Sequence, residues 1–406
     1  MAPTSAARQP APEGALPPVG GTAGTEPLAL YIHWPFCLAK CPYCDFNSHV
    51  RAPVPQARFG AALERELIHE AAQLGRRRLT SIFFGGGTPS LMAPETVASL
   101  IARATTLFDP APDLEITLEA NPTSVEAARL RDFAQAGVNR ISLGIQALDD
   151  DALRFLGREH SAAQALAALE CARTLFPRMT FDLIYARPGQ SQSAWERELH
   201  TALALAADHL SLYQLTIEPG TKFEALYRTG AFTLPDEDTA AALYDSTDRI
   251  TRAHGLDAYE VSNYARPGSE SRHNLTYWRY GDYLGLGPGA HGRITQEGAL
   301  YATRRHRAPE PWAERVEQHG TGETSRDALS RAERAREMLL MGLRVREGIN
   351  SARFAARTGL PLQDALDPTI LAAAVEEGYL IHTPESLRAT PEGRLRLEAL
   401  LGALVL

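Results

Sequence analysis

Leu28-Ala-Leu-Tyr-Ile-His-Trp-Pro-Phe-Cys-Leu-Ala-Lys-Cys-Pro-Tyr-Cys44 opens on an apolar run and ends in three cysteines spaced CxxxCxxC. The run Leu28–His33 reads as a β-strand and the cysteines as the loop that follows it. The chain has one further cysteine, Cys171, in a stretch with helical spacing. Cys37, Cys41 and Cys44 can hold three irons of a four-iron, four-sulfur cluster, because such clusters are ligated by cysteine thiolates. The fourth iron would keep an open position, and an open position on a metal is where a small molecule can bind. Zinc held with His33 or His49 is the alternative, although no second knuckle of zinc-binding spacing appears. A disulfide role does not suit a chain so poor in cysteine.

Outward from this loop, short β-rich runs recur at Ser81–Phe84, Leu114–Leu118, Arg140–Gly144, Thr180–Tyr185 and His209–Leu215. Longer stretches with helical periodicity separate them; Phe59, Leu63, Leu67, Ala71 and Leu74 mark one apolar helix face. Strand and helix in alternation predict an α/β fold with a parallel sheet. Six such units make a partial (β/α)6 TIM-like barrel, open where two more strands would close it. Functional residues are then expected at the carboxyl ends of the strands. The expected organisation is a disordered tail over residues 1–26, the barrel with its sites over 27–300, and a C-terminal domain over 301–406. The tail holds five prolines and four glycines and no aromatic residue, a composition that cannot offset its own ordering entropy. It lacks the continuous apolar stretch of a secretory signal. The C-terminal region predicts a helix over Ser330–Val345, a brief hairpin near 378–389, and a final helix opening at Thr390-Pro391. Helices with a small hairpin resemble a winged helix, read here as a packing domain over the open barrel.

The strand ends carry the chemistry. Phe84-Gly-Gly-Gly-Thr-Pro-Ser90 leaves backbone free of Cβ contacts for a ligand, with the Thr88 hydroxyl beside Gly86 and Gly87. Glu119 precedes the extended dipeptide Asn121-Pro122, Gln146 ends the fourth strand, and Arg158 follows in Leu156-Gly-Arg-Glu-His160. Asp182 sits inside an apolar strand, where an unpaired carboxylate is costly. Acid, amide and guanidinium around one cavity suit a ligand with hydroxyls, an amine and a carboxylate.

Together with Tyr31-Ile-His-Trp-Pro-Phe-Cys37, these motifs resemble the radical S-adenosylmethionine superfamily. The likeness is to the branch that contains oxygen-independent coproporphyrinogen III oxidase and its haem-chaperone relatives, and it runs from about Leu28 through the C-terminal region. It implies that Cys37, Cys41 and Cys44 ligate a 4Fe-4S cluster whose open iron chelates S-adenosylmethionine. Tyr31, Tyr43, Gly86, Gly87, Thr88, Glu119, Gln146, Arg158 and Asp182 match positions that contact this cofactor. Asp182 and Gln146 suit the ribose hydroxyls and Arg158 the carboxylate. Ala186-Arg187 departs from the Gly-Leu often found in relatives. The oxidases typically continue CxxxCxxCxC, whereas here Phe46 takes the last position, as in the chaperone branch. Arg272-His-Asn-Leu-Thr-Tyr-Trp278 matches that branch's HNxxYW motif, so the resemblance implies haem as cargo with His273 as an iron ligand; His291 is a weaker alternative. A fixed loop and a packed core are the plain readings of the same residues. The resemblance further implies an electron donor and an acceptor haem protein as partners.

The rest of the composition is that of an ordinary globular chain: 406 residues, 44% hydrophobic, 22% charged, net charge −8. The acidic balance argues against general attraction to nucleic acid or anionic lipid, with a local basic patch available at Arg304, Arg305 and Arg307. No apolar run reaches the roughly 20 residues that span a bilayer. Cytoplasmic residence is expected, with contact at a membrane surface left open.

Overall fold

The computed structural model describes residues 27–405. The expected tail over 1–26 lies outside them. All six expected strands form, as β1 (Pro27–Trp34), β2 (Arg78–Gly86), β3 (Asp109–Ala120), β4 (Arg140–Gln146), β5 (Arg178–Tyr185) and β6 (His209–Gln214). They lie side by side in chain order, and each neighbouring pair is parallel. Helices Gln56–Leu74, Pro94–Leu107, Ser124–Gln135, Ala162–Leu175 and Gln192–Leu205 form the crossovers. Cys171 lies on the fourth of these, partly buried against the main core.

Side chains along each strand alternate between two faces. Leu28, Leu30 and Ile32 of β1, Ile82 and Phe84 of β2, Ile116 and Leu118 of β3, and Phe181 and Leu183 of β5 pack outward in one core. Phe59, Leu63 and Leu67 of the first helix join them there. The intervening positions turn inward and include the polar residues Tyr31, Ser81, Thr117, Glu119, Thr180, Asp182 and Ser211, with Ala29, Phe83 and Ile184 among them. Asp182 sits in an apolar strand, as expected, and points into the barrel rather than into the outer core.

Closure differs from the expectation of two missing strands. Short strands β7 (Asp257–Ala258) and β8 (Asn263–Ala265) run antiparallel beyond β6. On the other side β9 (Asp282–Leu286) pairs with β1 in parallel, and β10 (His291–Gln296), β11 (Ala299–Arg305) and β12 (Glu323–Ala328) follow as antiparallel neighbours. The result is one twelve-stranded open sheet, β12-β11-β10-β9-β1-β2-β3-β4-β5-β6-β8-β7. The change in character expected near residue 300 falls inside β11, and the sheet itself ends at Ala328.

Arg305 of β11 is fully buried, with Glu66 and Glu70 of the first helix and Glu323 of β12 around it. It belongs to no surface patch; Arg304 and Arg307 on either side are exposed. A buried guanidinium needs such partners, since an unpaired charge there is costly.

Beyond the sheet, Ser330 caps the helix Arg331–Gly342 through a reciprocal pair of bonds with Glu333. Helices Ser351–Thr358 and Pro368–Glu376 and a three-stranded antiparallel sheet share a second hydrophobic core built on Leu339, Leu343, Phe354 and Leu387. The hairpin forms from Leu380–His382 and Ser386–Ala389. Thr390 caps the next helix as expected, its hydroxyl accepting from Gly393 N. That helix stops at Leu395, and a separate one runs over Leu397–Leu404, so the expected single final helix is two. No helix among the described residues is long and apolar enough to cross a membrane.

Candidate functional site

The loops after β1–β5 meet around one cavity of about 1050 Å³. Its wall includes Cys37, Cys41, Tyr43, Cys44, Gly86, Gly87, Thr88, Glu119, Gln146, Arg158 and Asp182. These are all of the expected cluster and cofactor residues except Tyr31. The aromatic ring of Tyr31 lies deeper in the barrel, its hydroxyl 2.9 Å from Nδ1 of His33 and its ring 6.2 Å from that of His273.

The cysteine loop is tied down from several sides. Gly87 N donates to Trp34 O and Thr88 N to Phe36 O, at 2.7 and 2.9 Å, which joins the glycine turn to the start of the loop. The ring Nε2 of His33 meets Asn47 O at 2.9 Å, and Asn47 Nδ2 donates to Pro288 O and Arg307 O at the loop's far end. Gly87 allows this closeness: a Cβ there would stand 2.8 Å from Phe36 O and 3.0 Å from Cys37 Sγ. Gly86 adopts φ 115°, and a Cβ on it would strike the His33 ring.

Polar groups converge on the thiols. Thr88 Oγ1 donates to Cys37 Sγ at 3.4 Å, and Arg158 Nη1 to Cys41 Sγ at 3.2 Å. Burial pushes the thiols of Cys37 and Cys44 up from their ordinary values, so a bound cation is what would hold them as thiolates. Among the described residues, no three of His, Cys, Asp and Glu are gathered to share one metal ion. A cluster asks for something different, each thiolate on its own iron, and the donor set here is three cysteines with Arg158 as a counter-charge.

Arg158 Nη2 also donates to Asn121 Oδ1 and to Gly144 O, while its Nε is buried without a partner among the described residues. An orphaned buried donor at a cavity wall fits an anionic group such as a carboxylate. Across from it stand two acids. Glu119 accepts from Gly86 N at 3.3 Å and is pushed up to about 8 by burial and by the charge of Asp182. Asp182 is pushed up to about 6 by burial, against the help of Ser211, Arg140 and Arg158. Acids held partly protonated in this way are poised to accept a cation or to hydrogen-bond hydroxyls. Gln146 has φ 74° and Ala186 φ 57°, at or just past the ends of β4 and β5. Left-handed backbone at a non-glycine residue is strained, and such strain clusters at binding sites. The neighbouring departure, Arg187, is buried and ion-paired with Glu198.

Two expected haem residues lie elsewhere. His273 opens the helix Arg272–Trp278, is 1% exposed, and bonds through both ring nitrogens, to Ser81 Oγ at 2.9 Å and Tyr277 Oη at 2.8 Å. It does not line the cavity. His291 is exposed at the start of β10. Phe46, the residue in place of a fourth cysteine, lines the cavity rim and is 58% exposed.

Sequence reasoning missed the far wall. Tyr213 and Gln214 at the end of β6 line it and could have been found from the rule that strand ends carry function. Val261, Ser262, Arg344 and Arg394 line it too; they come from segments with no local motif.

The Radical SAM superfamily family model matches residues 31–202, and the HemN C-terminal domain matches residues 329–396. "Heme chaperone HemW" of Escherichia coli (strain K12) is 38% identical over 378 residues, covering 92% of this chain and 97% of that protein. "Radical S-adenosyl methionine domain-containing protein 1, mitochondrial" of Bos taurus is 42% identical over 399 residues, covering 96% of this chain and 89% of its own. Among solved structures, coproporphyrinogen III oxidase (HemN) from Escherichia coli superposes with a TM-score of 0.78 at 24% identity, over 93% of this chain and 89% of that one. At that identity the likeness is one of fold. With the barrel, the cysteine loop and full-length relatives in agreement, the chain belongs to the radical SAM superfamily, in the family of the heme chaperone HemW.

Proposed function

We propose that this chain is a haem chaperone that holds a 4Fe-4S cluster and S-adenosylmethionine in the barrel cavity, binds haem, and passes it to an acceptor haem protein. The observation that carries the reading is Phe46 at the cavity rim, on a wall that otherwise keeps the cluster and cofactor residues. Cys37, Cys41 and Cys44 would hold the cluster; the glycine turn, Glu119, Gln146, Arg158 and Asp182 would hold S-adenosylmethionine. The bound pair supplies one-electron chemistry at a sulfonium, and an electron donor is then a second partner. The chain's own residues orient that cofactor: Arg158 toward a carboxylate, Asp182 and Gln146 toward hydroxyls, Tyr43 and Phe46 as cover against water.

A cytoplasmic setting, reducing and so compatible with free thiols, fits this reading; the bovine relative is named as mitochondrial. His273 enters as an iron ligand only in an opened state, because both ring nitrogens are engaged within the barrel. The second reading is an oxygen-independent coproporphyrinogen III oxidase, and the shared fold favours it. An anaerobic assay with coproporphyrinogen III beside a haemin titration separates the two. The expected result is stoichiometric haemin binding without protoporphyrinogen; many turnovers to protoporphyrinogen would overturn the proposal.

A further inference from the structure

The cavity is large and has a second wall that neither the cluster nor the cofactor residues supply. Its volume of about 1050 Å³ is at the top of the roughly 300–1,000 Å³ that single-ligand pockets occupy. The cluster and cofactor residues line only one side. The opposite side is contributed by the C-terminal elements, and it carries three arginines, Arg344, Arg394 and Arg396, set among Val261, Leu395 and Leu397.

Two of these arginines, Arg344 and Arg394, keep buried donors unused. Arg394 is 9% exposed; its guanidinium lies against the Tyr244 hydroxyl, and its Nε is buried with no hydrogen-bond partner among the described residues. Arg344 also has a buried Nε without a hydrogen-bond partner among the described residues. Its guanidinium lies 5.1 Å from the centre of the Trp278 ring, its charge acts on buried Glu260, and it makes a loose 3.6 Å contact with Glu398, whose side chain is 88% exposed. Arg396 lies over the Tyr379 ring and donates to Glu392 O. The acids on this wall are Glu218 and Glu398; Glu260 nearby is occupied by Asn263 and Ser262 N. A buried guanidinium nitrogen left unpaired is costly unless a ligand satisfies it. Guanidinium groups on an apolar wall suit a flat apolar body with carboxylates at one edge, because arginine binds carboxylate through a planar fork.

We propose that Arg344, Arg394 and Arg396 form a carboxylate subsite that receives the propionate side chains of haem, with the macrocycle lying across Val261, Leu395 and Leu397 toward the cluster loop. The subsite rests on the haem-carrier reading above and adds where the cargo sits and what it is recognised by.

The test uses full-length protein with its cluster reconstituted anaerobically, titrated with haemin and with haemin dimethyl ester and read by the Soret band. Wild type should bind haemin more tightly than the ester. Arg394→Gln and Arg396→Gln should each weaken haemin at least about tenfold, about 1.4 kcal/mol, and leave the ester unchanged, while cluster absorption and S-adenosylmethionine binding stay at wild-type levels. Arg396 is exposed, so its variant carries the test if Arg394→Gln fails to fold. Equal affinity of wild type for haemin and ester, or equal loss for both ligands in the variants, overturns the subsite and leaves the chaperone reading standing. Wild type that binds no haemin overturns both.

Discussion

Glu119 and Asp182 lie close enough in the cavity for the charge of Asp182 to act on Glu119, with Arg140 only partly offsetting it, and that sets a pH dependence. Glu119 is raised from its ordinary 4.5 to about 8 by burial first and Asp182 second. A carboxyl whose folded value lies above its unfolded one binds more protons in the folded state, so its contribution is full below about 4.5 and is lost as pH rises through about 8. Cluster-free, cofactor-free protein should therefore lose stability from this residue between pH 5 and 8. Glu119→Gln should remove that slope, so that the variant gains on wild type as pH rises, measured as urea midpoints at pH 5.5 and 8. A constant difference at both pH values would contradict the assignment. His273 carries a different weight. Its ring is 1% exposed, links its helix Arg272–Trp278 to β2 by stacking on Phe83 at 4.9 Å and bonding Ser81, and also bonds Tyr277 on its own helix. Burial holds it down at about 3, so the ring is neutral where it sits. His273→Ala leaves a cavity and unpairs the buried Ser81 hydroxyl and the part-buried Tyr277 hydroxyl, and we expect a loss of about 2–5 kcal/mol in urea unfolding. A loss under 1 kcal/mol would show that the ring does not link these elements. The Soret band of the folded variant with haemin reads separately whether the ring also reaches iron.

At the scale of elements, the glycine turn after β2 decides where the cysteine loop can sit. Because Gly87 N and Thr88 N are bonded to the loop backbone, a side chain at 87 would push directly on Phe36 O and Cys37 Sγ. Gly87→Ala is expected to lower iron content after anaerobic reconstitution and to weaken the visible absorption. Gly402 is the counter-case: it lies exposed on the helix Leu397–Leu404, and a Cβ there meets nothing within 4 Å. Gly402→Ala should raise stability by about 0.5–1 kcal/mol and leave iron content unchanged; equal iron loss in both variants would reject the steric account. The contrast also explains what was legible beforehand. Strands β1–β6 announced themselves because their outer faces are apolar and each is followed by a helix of clear periodicity. β9 did not: Asp282-Tyr-Leu-Gly-Leu286 is short, contains a glycine, and runs into Gly287-Pro-Gly289, so it reads as a loop until β1 pairs with it. The cysteines, the glycine turn and Glu119 were legible because each sits within a few residues of a strand end. Arg344 and Arg394 were not, since only tertiary packing brings the segments at 344 and 394 to the mouth of a barrel whose cysteines lie at 37–44.

For the whole molecule, the consequence is that one cavity is shared between two hydrophobic cores. The cofactor residues Gly86, Glu119, Gln146 and Asp182 all belong to the barrel, whose core runs from Leu28 to Val316. Arg344, Arg394 and Leu397 come from the segment whose own core is built on Leu339, Phe354 and Leu387. A ligand that touches only the first wall stabilises only the first body, whereas one that touches both ties them together, because binding lowers the free energy of the states in which its contacts are intact. Hydrogen exchange reads this directly, since protection reports local opening. S-adenosylmethionine added to the reconstituted protein should slow exchange at the carboxyl ends of β2–β5 and leave residues 391–399 as they were. Haemin should slow exchange at 391–399 as well. Protection of 391–399 by S-adenosylmethionine alone would mean that the two walls already move as one, and haemin protection confined to the barrel would place the cargo away from the arginines. The expected pattern makes cargo, not cofactor, the link between the two cores, so that loading with haem changes how firmly the C-terminal elements cover the barrel mouth.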